Sequence, residues 1–212
     1  GMHDLQLRDN PPARGSLRNE TRPCFMQERR YNLGHDDMPE FLERLRERVN
    51  TYGETFTVAE VGSPDPLPVM KDYTQGDKRL NTAYSFEFLN APDLDKDAEI
   101  LGGWPGHADE GWPSWAFSNH DARRVASRWR TDLEPGHRVR LFALLQFSLR
   151  GNIFIYQGEE LGLPQADVPF ERLQDPEGIN NWPHTMGRDG ARTPMPWSQH
   201  EVCAGFTTGE PW

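Results

Sequence analysis

At 212 residues, with 35% hydrophobic and 26% charged side chains, the chain is long enough for one sizeable core and not clearly for two. Its formal net charge of −10 argues against a phosphate-binding face, so neither nucleic acid nor an anionic membrane is an expected partner. The only cysteines, Cys24 and Cys203, are far apart and lack ligand spacing, which predicts no zinc site and a reducing, cytoplasmic setting. No apolar run approaches the roughly 20 residues that span a bilayer. Gly1-Met2 reads as a tag remnant before a native start, with no signal peptide.

Residues 3 to 34 are polar and broken by Asn10-Pro11-Pro12 and Arg22-Pro23, and read as loop. From Asp37 a helix is expected. Asp37 and Glu40 have the spacing of a capping box, and Pro39 suits the first turn. Met38, Phe41, Leu42, Leu45 and Val49 recur at helical spacing, with Glu43, Arg44, Arg46 and Glu47 outward and Gly53 closing the helix. Phe56 to Val61 reads as a buried strand ending in a carboxylate, Glu60. Pro64 to Leu80 reads as loop with a short helix, and Thr82 to Leu89 as a second strand. Asn90 to Pro113 is expected to be a long loop, its aspartates at 93, 95 and 97 solvated. They lack the glycine and distal glutamate of a calcium hand.

Trp115-Ala116-Phe117 is the third strand and runs into a polar knot, Ser118-Asn119-His120-Asp121, with a short helix over 122–129 turning Val125 and Trp129 inward. Arg138 to Arg150 is apolar nearly all round, which predicts a helix covered on most sides. Asn152 to Tyr156 is the fourth strand, and 157–212 a long loop rich in Gly and Pro. Helix-then-strand units with no internal repeat indicate a parallel sheet with right-handed crossovers. A (β/α)8 barrel takes about 250 residues. The expected fold class is therefore α/β, half of a (β/α)8 barrel.

The carboxyl ends of parallel strands are where such folds place their chemistry. Glu60 ends the first strand and Asp121 the third, so both carboxylates are expected to face one pocket. Paired carboxylates are the equipment of glycoside hydrolysis. His120 would orient a hydroxyl or satisfy a loop carbonyl. Arg188 and Arg192 would bind hydroxyls or carboxylates, or form salt bridges only. Seven Trp and eleven Phe supply faces that suit either sugar stacking or packing under loops. There is no Gly-x-Gly-x-x-Gly, P-loop or Gly-x-Ser-x-Gly elbow, and no cofactor is expected.

Three segments resemble successive motifs of the α-amylase superfamily, glycoside hydrolase family 13: Thr57-Val58-Ala59-Glu60-Val61-Gly62, Ser118-Asn119-His120-Asp121, and Tyr156-Gln157-Gly158-Glu159-Glu160-Leu161-Gly162. Gly187-Arg188-Asp189-Gly190-Ala191-Arg192-Thr193-Pro194-Met195-Pro196-Trp197, Ala204-Gly205-Phe206 and Leu7-Arg8-Asp9-Asn10-Pro11-Pro12 are similar to its oligosaccharide α-glucosidase branch. The resemblance implies four parallel strands, the fifth to eighth of the barrel, in one partial catalytic-barrel domain: 1–36 an N-terminal loop segment, 37–156 the helix and strand units, 157–212 the loop after the last strand.

It also implies roles. Glu60 would be the general acid/base, Asp121 the transition-state stabiliser, and His120 a ligand of sugar hydroxyls. Arg188, with Arg192 as the alternative, would be the subsite arginine; the substrate would be a small oligosaccharide or α-glucoside. The family's nucleophile lies in a Gly-Phe-Arg-x-Asp motif, which does not occur in the 212 residues. The chain alone is therefore expected to be inactive, the alternative being a truncated remnant or a sugar-binding or interaction module. Its bare sheet edges are expected to self-associate or to be shielded by the terminal loops.

Overall fold

The computed structural model describes residues 4–13, 26–63, 65–104, 111–129 and 131–211. Seven helices and four strands occur among them: α1 (Met38–Asn50), β1 (Val58–Val61), α2 (Pro66–Thr74), β2 (Thr82–Ser85), α3 (Phe86–Asn90), α4 (Leu94–Gly102), β3 (Ser114–Ala116), α5 (Val125–Arg128), α6 (Pro135–Ser148), β4 (Asn152–Phe154) and α7 (Pro176–Asn181). β1 pairs with β2 and β3 with β4, and one isolated parallel bridge joins Ala83 to Pro113. The chain divides into two compact units: Gly1–Phe88 with Asp97–Trp115 and Arg150–Asn152, and Leu89–Lys96 with Ala116–Leu149 and Ile153–Trp212. Cys24 and the Arg22-Pro23 break lie outside the described residues, and Cys203 carries a free thiol.

In the first unit β1 and β2 run parallel, in register from Val58 opposite Thr82 to Val61 opposite Ser85. Val61, Ala83, Met70 of α2 and Trp104 form the core beneath them. β1 is not the buried strand that its composition suggests. Only Val61 is buried, and Val58 and Glu60 are exposed, because among the described residues β1 pairs with β2 alone. β2 also stops short of the expected strand. The register ends at Ser85, and the backbone beyond it satisfies its hydrogen bonds internally as α3.

α1 forms where the periodicity places it, with Met38 and Leu42 buried, but the capping box is not made. The Asp37 carboxylate accepts the Leu5 amide at 3.0 Å instead. Arg46 does not face solvent either; its guanidinium donates to Asn81 Oδ1, which also accepts the Thr57 amide and hydroxyl at 2.9 Å. One amide oxygen thus ties α1 to the entry of β1. Within the expected 90–113 loop, α4 forms, and Asp93 is not simply solvated: its Oδ1 accepts the Lys96 amide at 3.0 Å in the first turn of that helix.

The second unit packs around aromatic rings. Trp129 is buried, with its ring centroid 4.8 Å from Phe117 and 5.2 Å edge-on from Phe142 of α6. Val125 is buried beside them, as the helical spacing predicts. The Trp129 indole and Arg128 Nε both donate to the Ala91 carbonyl. α6 is not covered on most sides. Phe142 and Gln146 are buried, while Leu141, Leu144 and Phe147 are exposed. An apolar sequence fixes no direction of burial, and the described residues cover one face only. After β4 the chain is loop, interrupted by α7 and three 3₁₀ turns.

Candidate active site

The polar knot after β3 is built by its own side chains. Asn119 is buried, and its Oδ1 accepts the amides of Asp121 (2.9 Å) and Ala122 (2.8 Å). The buried Ser118 Oγ accepts the Val125 amide at 2.8 Å. These side chains hold the turn between β3 and α5, so Ser118 and Asn119 act on the backbone. His120 and Asp121 are left facing outward, His120 Nε2 lying 3.6 Å from Asp121 Oδ1.

Two arginines converge on that same oxygen. Arg188 Nη1 reaches Asp121 Oδ1 at 3.1 Å and Arg192 Nη2 at 2.7 Å, and Arg192 Nε also donates to the His120 carbonyl at 2.8 Å. Four of the five residues singled out in the sequence are thereby gathered within the second unit. A cavity of about 290 Å³ opens beside Asp121 and Arg188, its wall continued by Arg123, Gln165, Asp167 and Val168.

Arg188 is aimed by a residue that sequence reasoning missed. The Asp175 side chain is fully buried and receives Arg188 Nε at 2.9 Å, Nη2 at 2.7 Å and the Arg188 amide at 2.7 Å. Hydrogen bonds from the Arg188 side chain hold the Asp175 carboxyl down at about 2, and the same bonds raise the guanidinium above its ordinary value. Asp175 also caps α7 through the Glu177 amide. Gly187 allows the approach: it has a φ of +63°, and a Cβ there would meet Asp175 Oδ2 at 2.8 Å. The available signal was Asp175-Pro176, a cap residue followed by proline at the first helical position.

Arg124, buried just after the knot, is a second such residue. It donates from Nη1 to the Gln157 carbonyl (2.8 Å) and from Nη2 to the Ala191 carbonyl (3.0 Å), and its amide meets Gln165 Oε1 at 3.0 Å. Tyr156 Oη donates to that same Ala191 oxygen at 2.9 Å. The turn carrying Arg188 and Arg192 is thus moored to the ends of β3 and β4 together. Beneath it lies a small, mostly apolar cavity of about 70 Å³, lined by Val125, Phe142 and Leu163 together with Arg124 and Glu159. Burial pushes the Glu159 carboxyl up to about 7, against the opposing pull of Ser118, the Tyr156 amide, Arg124 and Arg128. Its Oε2 accepts the Tyr156 amide at 3.0 Å, and its Oε1 is buried without a partner among the described residues.

Glu60, the fifth residue, belongs to the first unit. It is exposed on β1, and its Oε1 accepts the hydroxyl of Tyr84, its register partner on β2, at 2.6 Å. Tyr84 could not be singled out before the strand pairing was known. A cavity of about 590 Å³ flanks Glu60, lined by Val58, Val61 and Ser63 with Leu42, Val69 and Phe86. Asp4, His35 and Asp37 also bring ligand atoms within 4.8 Å of one another. The Asp4 oxygens take the Arg8 amide and Nε, His35 Nδ1 accepts the Asp37 amide, and Arg8 Nη2 meets His35 Nε2, so a guanidinium stands where a cation would go.

The knot thus stands at the carboxyl end of a strand, where parallel α/β folds place their chemistry. Residues 16–212 match the model of the α-amylase catalytic domain, and the chain belongs to that family. It is 41% identical to a probable α-glucosidase of Rhizobium meliloti, over all of this chain and 40% of that one, and 31% identical to an oligo-1,6-glucosidase of Heyndrickxia coagulans over 86% and 39%. Among solved structures it resembles an α-glucosyl transfer enzyme (TM-score 0.82, 41% identity, 99% of this chain and 40% of that one). It also resembles the trehalose-6-phosphate hydrolase of Bacillus licheniformis (TM-score 0.74, 27% identity, 87% and 39%). The chain spans about 40% of the length of these relatives. No helix among its described residues is long and apolar enough to cross a membrane.

Proposed function

We propose that the chain is one part of a retaining α-glucosidase, the strands corresponding to the fifth to eighth of a (β/α)8 barrel, with short α-glucosides as substrate. We assign it as a single partial catalytic domain, in the cytoplasm. Glu60 serves as general acid/base: protonated, it gives its proton to the leaving glycosidic oxygen, and ionised, it activates the water that releases the sugar. Asp121 stabilises the oxocarbenium-like charge. His120 holds sugar hydroxyls with Arg188 or Arg192, and no cofactor takes part.

The observation that carries this reading is the convergence of Arg188 and Arg192 on Asp121 Oδ1. A guanidinium pair fixes one carboxylate oxygen through charge-assisted hydrogen bonds and leaves the other to a ligand. The step that these 212 residues do not provide for is covalent capture. A retaining enzyme needs a nucleophile about 5–5.5 Å from its acid, and the family's Gly-Phe-Arg-x-Asp segment is not in this sequence. Alone, the chain binds sugar and does not cleave it.

The test is a chromogenic α-glucoside assay on the purified chain, with maltose binding followed in parallel through the His120 ring resonances. Binding weakened by Asp121→Asn, without turnover, is the expected result. Turnover abolished by Glu60→Gln overturns the claim of inactivity, and an absence of maltose binding at millimolar concentration overturns the sugar site.

A further inference from the structure

We infer that Asp175 is a positioning residue, acting through Arg188 to fix the orientation of Asp121. The carboxylate meets Arg188 along one side of the guanidinium, through Nε and Nη2, and takes the backbone amide of the same residue as well. Two parallel bonds to a planar group leave it no rotation. The remaining corner, Nη1, is the atom that reaches Asp121 Oδ1. Asp175 is itself immobilised: its side chain is fully buried, its Oδ1 accepts the Glu177 amide, and its own amide donates to Asp189 Oδ2 at 2.9 Å. The chain of support therefore runs from α7 through Asp175 and Arg188 to Asp121. Lysine in place of Arg188 would not transmit it, because an ammonium has no fork to lock.

That Asp121 is the group worth orienting rests on the α-glucosidase reading. The coupling does not, and is tested without sugar. The full chain and its Asp121→Asn, Asp175→Asn and double variants are unfolded with urea and the folding equilibrium constants compared as a cycle. If Arg188 carries orientation from Asp175, Asp121→Asn weakens folding less in the Asp175→Asn background, by about fivefold in the equilibrium constant.

Asp189 supplies the control. It ties the same loop through the amides of Gln174 and Asp175, and none of its described bonds reaches the Arg188 side chain. Because it reaches Asp175 only through that backbone amide, its cycle with Asp121→Asn is expected to show a clearly smaller coupling. Additivity at Asp175, a coupling of the opposite sign from direct repulsion between the two carboxylates, or equal coupling at Asp189 overturns the inference. Should Asp175→Asn not fold, Asp175→Glu enters the same cycle: it keeps the charge but shifts the carboxylate by a methylene, and the same sign of coupling is expected. A coupling found in a chain that binds no maltose leaves the positioning role standing and sinks the glucosidase reading instead.

Discussion

Replacing Glu159 with glutamine isolates a buried charge whose cost the structure sets. In the folded chain the carboxyl is pushed up to about 7 from 4.5, because burial against the small apolar cavity outweighs Ser118, the Tyr156 amide and the cations Arg124 and Arg128. Glu160 and Tyr156 are the other titratable groups on this segment, and the Glu160 carboxylate is engaged with the Gly158 amide. Between pH 4.5 and 7 the unfolded chain has released a proton that the folded chain still holds. The Glu159 contribution to stability therefore falls as pH rises through that window and is level above it, a loss of about 3 kcal/mol at pH 8 relative to pH 4.5. Glu159→Gln, neutral throughout, removes this slope. Urea unfolding at pH 5 and pH 8 measures it: the variant is expected to gain on the parent by a few kcal/mol at pH 8 and to differ much less at pH 5. Subtracting the two profiles cancels every other titrating group. Parallel profiles would show that Glu159 is not held neutral, and the reasoning would fail.

Other substitutions probe the packing of each unit. Trp129→Ala, which empties the site between Phe117 and Phe142, is expected to destabilise by about 3–5 kcal/mol in urea unfolding. Asn81→Ala leaves the Thr57 amide and Arg46 without their shared acceptor and is expected to cost about 1–3 kcal/mol. Gly190→Ala sets a methyl against the Ala166 carbonyl and the Gln165 amide, and the turn bearing both site arginines must shift. A loss of about 1–3 kcal/mol, with weakened maltose binding, is the expected outcome.

The parts of the molecule legible in the sequence are those whose signal is local. α1 declares itself through Met38 and Leu42 at helical spacing, and the knot at 118–121 through residue types that only turns and sites use together. What stayed hidden depends on partners distant in sequence. The end of β2 at Ser85 is set by where β1 stops offering hydrogen bonds, and nothing in Thr82–Leu89 records that. Arg46 reads as a surface residue because its acceptor, Asn81, lies 35 positions away. Asp175 meets Arg188 across 13 residues of chain with little periodicity, so its burial could not be inferred from its neighbours. The exposed side of α6 shows the converse: Leu144 and Phe147 signal burial, but no sequence pattern says which surface is meant to provide it.

The mooring at Ala191 has a consequence for anyone reading variation along this chain. The atom that receives Arg124 and Tyr156 is a peptide oxygen, which no codon change at 191 can remove. A mutational scan would score that position for bulk alone and miss the tether altogether. It would surface only in substitutions at 124 and 156, or in a backbone ester installed at the peptide between 191 and 192.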